Sequence, residues 1–261
     1  MLEGLLVSIG VFIMLGPITY IGAWYTAKYD SPRALIGIYI LFLTLAQFLA
    51  AKSQASFDFG LIILTAPAGV LVFPFTMQIT DMVNEKFGRR AVYEMIWIAF
   101  ISQILMIFFL YFAIFLPVAG EASDPLVAFT IVPSITLASW ISFFISERFD
   151  AWIYDQIREW IQRKIEGRKQ WWKFLWIRNI FSDILSLGLD SLLFVPLAFL
   201  ILPSIHQAID PAFPIIIILP ITAVIEIIIG QLGTKWILGV IDTPFMYLTR
   251  WIYEKESPTT E

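Results

Sequence analysis

VFPFTMQITDMVNEKFGRR, residues 72–90, opens as a membrane segment and then departs from one. Pro74, Gln78, Asp81, Asn84 and Glu85 interrupt an apolar run, and Gly88-Arg89-Arg90 closes it. On a helix turning about 100° per residue, Gln78, Asp81 and Glu85 share one face. Pro74, one turn before Gln78, is expected to kink that helix in mid-membrane. Gly88 is expected to cap it. An ionised carboxylate facing lipid costs about 2.5–3.5 kcal/mol on insertion scales. The stretch therefore calls for a polar interior.

The rest of the chain places that interior in a bilayer. Of 261 residues, 59% are hydrophobic and only 15% charged, with mean hydropathy +0.81. Soluble proteins carry roughly 25% charge. The expected fold is all-α, a polytopic helical membrane bundle. A transmembrane barrel needs short alternating segments, which the chain lacks. The absence of cysteine excludes disulfides, thiolate catalysis and cysteine-based metal sites. The single histidine, His206, stands between Pro203 and Pro211 and reads as a loop residue rather than a ligand. No metal and no cofactor are expected. No Walker loop, HExxH or serine elbow occurs, so an enzyme is not expected. The net charge of -4 implies no nucleic-acid partner. The first residues lack a basic n-region and a cleavage pattern, so they read as a retained span.

Seven spans are expected, near 3–27, 34–51, 63–87, 91–117, 126–157, 174–203 and 213–241. The fifth continues as an amphipathic helix, DQIREWIQRKIEGRKQWWK, with Trp171 and Trp172 at the interface. The tail EKESPTTE reads as disordered. Lysine and arginine cluster in alternate intervals, which places the protein in the plasma membrane with its N-terminus outside and its C-terminus in the cytoplasm.

Three more spans carry polar stripes. Span five gives Ser139, Ser142, Ser146, Glu147, Asp150 and Tyr154 within about 140°. Span six gives Arg178, Asn179, Ser182, Asp183, Ser186 and Asp190 within a similar arc. In span seven, Thr222, Glu226, Gly230 and Gly233 share a face. These stripes should face one another, with span three, around a polar interior. For Glu85, Glu147 and Asp150, neutralisation by Arg148 or Arg178 near the helix ends is an equally good account. Asp81, Asp190 and Glu226 lie deeper, where a structural charge is expensive.

Three stretches carry a resemblance. TAPAGVLVFPFTMQITDMVNEKFGRR, ISERFDAWIYDQI and RNIFSDILSLGLDSLLF resemble, in order, segments of the queuosine precursor transporter family, also grouped with vitamin uptake transporters. Asp150 matches the aspartate of the second motif. Arg178, Asn179, Ser182, Ser186, Asp190 and Ser191 match the third. Glu147 and Leu187 stand where that family has Gln, and Asp183 replaces a small polar residue. The resemblance implies a six-helix transporter core, residues 31–245, with residues 1–30 as an additional N-terminal transmembrane helix and 246–261 as a cytoplasmic tail. It implies import of 7-deazaguanine bases (7-cyano-7-deazaguanine, 7-aminomethyl-7-deazaguanine or queuine) by secondary transport or facilitated diffusion. The alternative is a substrate-binding subunit of an energy-coupling-factor importer, supported by the small-residue pair Ala46-x-x-x-Ala50.

A guanine-like base presents N1–H and an exocyclic amine side by side, which one carboxylate can accept. Asp81 and Asp190 are the expected acceptors. Gln78, Arg178 and Asn179 would meet the carbonyl end, and Phe75 would stack on the ring. Glu147, Asp150 and Ser182 complete the expected site, and Glu226 is the expected proton carrier. The partners expected are a purine-like base and the lipid bilayer; a homo-oligomer is compatible with the sequence.

Overall fold

The computed structural model describes residues 2–50, 55–58, 61–116, 132–164, 175–209 and 218–256. Helices α1 (Leu2–Tyr29) and α2 (Arg33–Ala50) lead into a two-stranded hairpin, β1 (Ala55–Asp58) and β2 (Ile63–Ala66). A 3-10 turn, Ala68–Val72, then enters α3 (Phe73–Phe87), and α4 (Arg89–Phe115) follows. The bundle is completed by α5 (Val132–Lys164), α6 (Leu175–Pro196), a π-helical turn at Leu197–Ile201, α7 (Leu202–Ile209) and α8 (Ile221–Glu256). The main packings are α5 along α6, and α1 and α6 along α8. Five of the described helical stretches, formed by α1, α2, α4, α6 with α7, and α8, are long and apolar enough to cross a membrane.

Helix α4 shows how the bilayer sorts side chains. Trp97, Ile98, Ile101, Leu105, Phe108, Phe109 and Phe112 are exposed on the outer face. Val92, Met95, Ile96, Ala99 and Gln103 are buried. In lipid the apolar outer face carries no penalty, so burial follows packing rather than hydropathy.

Several expectations are corrected. The third span is not one helix across 63–87. Its first part is strand β2, which pairs antiparallel with β1 in the register Ala55↔Ala66 to Asp58↔Ile63. Only the 15 residues from Phe73 are α-helical, about 22 Å of rise. Pro74 consequently sits in the first turn, where its missing N–H has no helical partner to lose. It starts the helix instead of kinking it. Gly88 does end α3, with φ 77° and its N–H on the Asn84 carbonyl at 3.0 Å. The next helix, α4, begins directly after this left-handed residue.

The last helix runs to Glu256, past the expected end at 241. Phe245, Met246, Ile252 and Tyr253 are buried, in apolar clusters with residues of α1 and α3, and this burial sustains the extension. Residues 257–261 of the expected disordered tail lie outside the described residues. Helix α5 continues to Lys164; the remainder of the expected amphipathic extension, with Trp171 and Trp172, also lies outside them. His206 is a residue of helix α7, not of a loop.

The basic intervals meet at one end of the bundle. Lys86 pairs with Asp30 (3.1 Å), Arg158 with Asp155 (2.9 Å) and Arg250 with Glu85 (3.4 Å). The hairpin lies at the other end, between the last turn of α2 and the first turn of α3.

Candidate substrate site

The site is built on α8. Gln231, Lys235 and Asp242 lie within about 40° of one another on the helical wheel, and all three are buried. Lys235 forms a buried ion pair with Asp190 of α6. Its ammonium also rests over the Phe73 ring, 3.7 Å from the centroid. Ser146 of α5 donates to the other Asp190 oxygen at 3.4 Å. Asp190 therefore gathers α5, α6 and α8 into one network.

The carboxylates continue toward the basic end. Thr80 of α3 contacts Glu147 Oε2 at 3.0 Å, and Ser186 donates to Asp150 Oδ1 at 2.9 Å. The Asn179 amide donates to Asp183 Oδ2 and to Asp242 Oδ1, both at 3.1 Å. Next comes Glu85, which accepts from Tyr154 and pairs with Arg250. Buried polar groups thus extend from the middle of the bundle toward its basic end.

At the hairpin end the network opens into a cleft. Gln47, Phe73, Ser139, Asp190, Phe194 and Gln231 line it, with Pro67, Gly69 and Val70 after the hairpin forming one wall. Its empty space is about 330 Å³ including the open side. The centre of a water molecule has only about 20 Å³ in which to move, so the free space in the cleft is narrow. The Gln47 amide donates to Ser139 at 2.9 Å. Gln231 Oε1 is buried without a hydrogen-bond partner among the described residues.

The expected site residues divide into three groups. Asp190 lines the cleft. Glu147, Asp150, Asn179 and Ser182 are buried in the network beneath it, and Asp81 is buried on α3 facing Asp183. Phe75 and Gln78 point elsewhere: Phe75 stacks on Phe42 with centroids 4.8 Å apart, and Gln78 bonds to Thr19 of α1. Phe73 supplies the cleft's aromatic face instead. The side chain of Arg178 lies outside those described.

Glu226 is exposed and lies near the start of α8, so the expectation of an inward, mid-span Glu226 is corrected. Thr222 is exposed with it. The reason is phase: five residues separate Glu226 from Gln231, about 140° on the wheel. Lys235, Asp242 and Gln231 were not anticipated. Their signal was present as polar residues at i, i+4 and i+11 within an apolar helix.

The small pair Ala46 and Ala50 is used inside the chain. A β-carbon on Gly69 would stand 2.6 Å from the Ala46 carbonyl oxygen and 3.3 Å from the Ala50 β-carbon. The pair lets the 3-10 turn approach α2 and so shapes the cleft.

Residues 67–249 match the family described as "Putative vitamin uptake transporter". The chain belongs to the vitamin uptake transporter family. It is a multi-pass membrane transporter, and the matched region holds every carboxylate of the network. The chain is also similar to a protein of Bacillus subtilis (strain 168) named "Probable queuosine precursor transporter". The two are 26% identical over 140 residues, which cover 52% of this chain and 58% of the relative. The match thus spans little more than half the length of that curated relative. No solved structure matches.

Proposed function

We propose that this transporter carries 7-deazaguanine-type bases, by secondary transport or facilitated diffusion, and that Asp190 accepts the N1–H and exocyclic amine of the base. The supporting observation is the opening of the Asp190 carboxylate into a cleft whose other polar side chains are two amides and the Ser139 hydroxyl. Gln47 and Gln231 have donors for a base carbonyl, and Phe73 and Phe194 present flat faces for a ring. The name of the bacterial relative points to the same class of cargo.

Asp190→Asn keeps the shape but replaces an acceptor with a donor. Losing a charge-assisted hydrogen bond in a dehydrated cleft costs about 1.5–3 kcal/mol, roughly a ten- to hundredfold loss of affinity. The measurement is thermal stabilisation of the purified protein by 7-cyano-7-deazaguanine, with the exposed change Arg90→Gln as control. Equal stabilisation of Asp190→Asn and wild type would place the site elsewhere. Labelled-base uptake by cells unable to make deazaguanines tests the transport itself.

A further inference from the structure

Lys235 has two carboxylates in its surroundings. It is paired with Asp190, and Glu147 lies within electrostatic reach of the same ammonium. Tyr39 of α2 and Thr80 of α3 face Glu147 from their own helices, and Asp150 faces it from α5. One layer below are Asp183 of α6 and Asp242 of α8.

Among the described side chains the buried charges do not balance. Asp81, Glu147, Asp150, Asp183, Asp190 and Asp242 are buried, while Lys235 is the one buried cation among the described side chains. So many carboxylates cannot all be ionised in a dehydrated interior, and some must hold protons.

The geometry around Thr80 accommodates a proton on Glu147. Its hydroxyl has a single hydrogen, yet the oxygen lies 3.0 Å from the Thr76 carbonyl and 3.0 Å from Glu147 Oε2. A carbonyl only accepts. With the hydroxyl donating back to Thr76, as helical threonines do, the Glu147 contact is a hydrogen bond only when the Glu147 carboxyl is the donor.

We propose that Glu147 holds a proton while Lys235 is paired with Asp190, and that a base binding at Asp190 passes Lys235 to Glu147 and expels that proton. The exchange balances. Protonated Glu147, the Asp190–Lys235 pair and a neutral base become an Asp190–base complex, a Glu147–Lys235 pair and one proton in water. The total charge of the buried groups falls by one as the base binds, which links base movement to a proton. The exchange rests on the assignment of Asp190 as the base acceptor; the proton on Glu147 does not.

Two measurements on the full-length protein in detergent test it. Calorimetric titration with 7-cyano-7-deazaguanine, in buffers of different ionisation enthalpy, should show about one proton released per base bound. Glu147→Gln, which gives the displaced Lys235 no second carboxylate, should bind the base more weakly than wild type and release no proton with whatever base it binds. Base binding by wild type without proton release would overturn the proposal, as would unchanged release from Glu147→Gln. The second measurement needs no base: difference infrared spectra of the empty protein should show a protonated-carboxyl band that Glu147→Gln removes. If no base binds wild type, the substrate assignment fails, and this band alone decides the proton: its absence overturns the inference, and its presence supports the Glu147 half.

Discussion

Lys235→Met is expected to destabilise the protein by about 3–5 kcal/mol, the usual cost of removing one partner from a buried ion pair. The cost arises from what remains. Asp190 would keep the Ser146 hydroxyl but lose its cation, in a site where its side chain is only 4% exposed. It would have to take up a proton or draw in water. The double change Lys235→Met with Asp190→Leu removes both charges and fills similar volume, so it should recover most of the loss. Replacing buried pairs with apolar residues is often neutral or better, which implies that this pair is kept for function rather than stability. Chemical or thermal unfolding of wild type and the two variants in one detergent provides the check. A single-mutant cost below about 1 kcal/mol, as for exposed pairs, would mean that Lys235 reaches solvent.

The polar interior was legible because side-chain phase is a local property. Once α5 and α6 are helices, Ser146, Glu147 and Asp150 must share an arc, as must Asn179, Ser182, Asp183 and Asp190; the bundle buries each of them. Partners across helices were not legible. Gln78 lies on the same stripe as Asp81, yet it turns to Thr19 of α1 because that helix packs against α8 and α3. The hairpin was hidden for a different reason. Ile63, Leu64 and Ala66 are as apolar as the helix that follows, and an apolar run of that length does not by itself separate strand from helix. Lys235 was obscured by Glu226, which anchored the phase of the last helix about 140° away from the stripe that is buried. A lone carboxylate near a helix end carries less positional information than a recurring polar stripe.

Gly230→Ala is expected to uncouple the hairpin from α8 and impair the site behind it. A β-carbon there would stand 2.0 Å from the Thr65 carbonyl oxygen and 2.7 Å from its carbon. These are backbone atoms of β2, so no side-chain rotation relieves the clash. At the next turn, Gly233 gives the same closeness to Leu64, 2.8 Å from its Cδ1. Together the glycines form a slot in α8 that receives the strand. Displacing β2 moves Pro67 and Gly69, only a few residues on, and with them the wall of the cleft. A comparison with Gly188→Ala on α6 separates this effect from helix propensity, because nothing lies within 4 Å of a β-carbon at Gly188. On propensity alone both changes should stabilise their helices by roughly 0.5–1 kcal/mol. Gly188→Ala should do so with base binding intact. Gly230→Ala should instead cost about 1–3 kcal/mol of stability, as overpacked sites do, and weaken base binding by at least about tenfold. Thermal unfolding and base titration of the two variants side by side read both quantities. Equal behaviour would mean that the strand does not seat in the slot, and that the hairpin does not hold the cleft in shape.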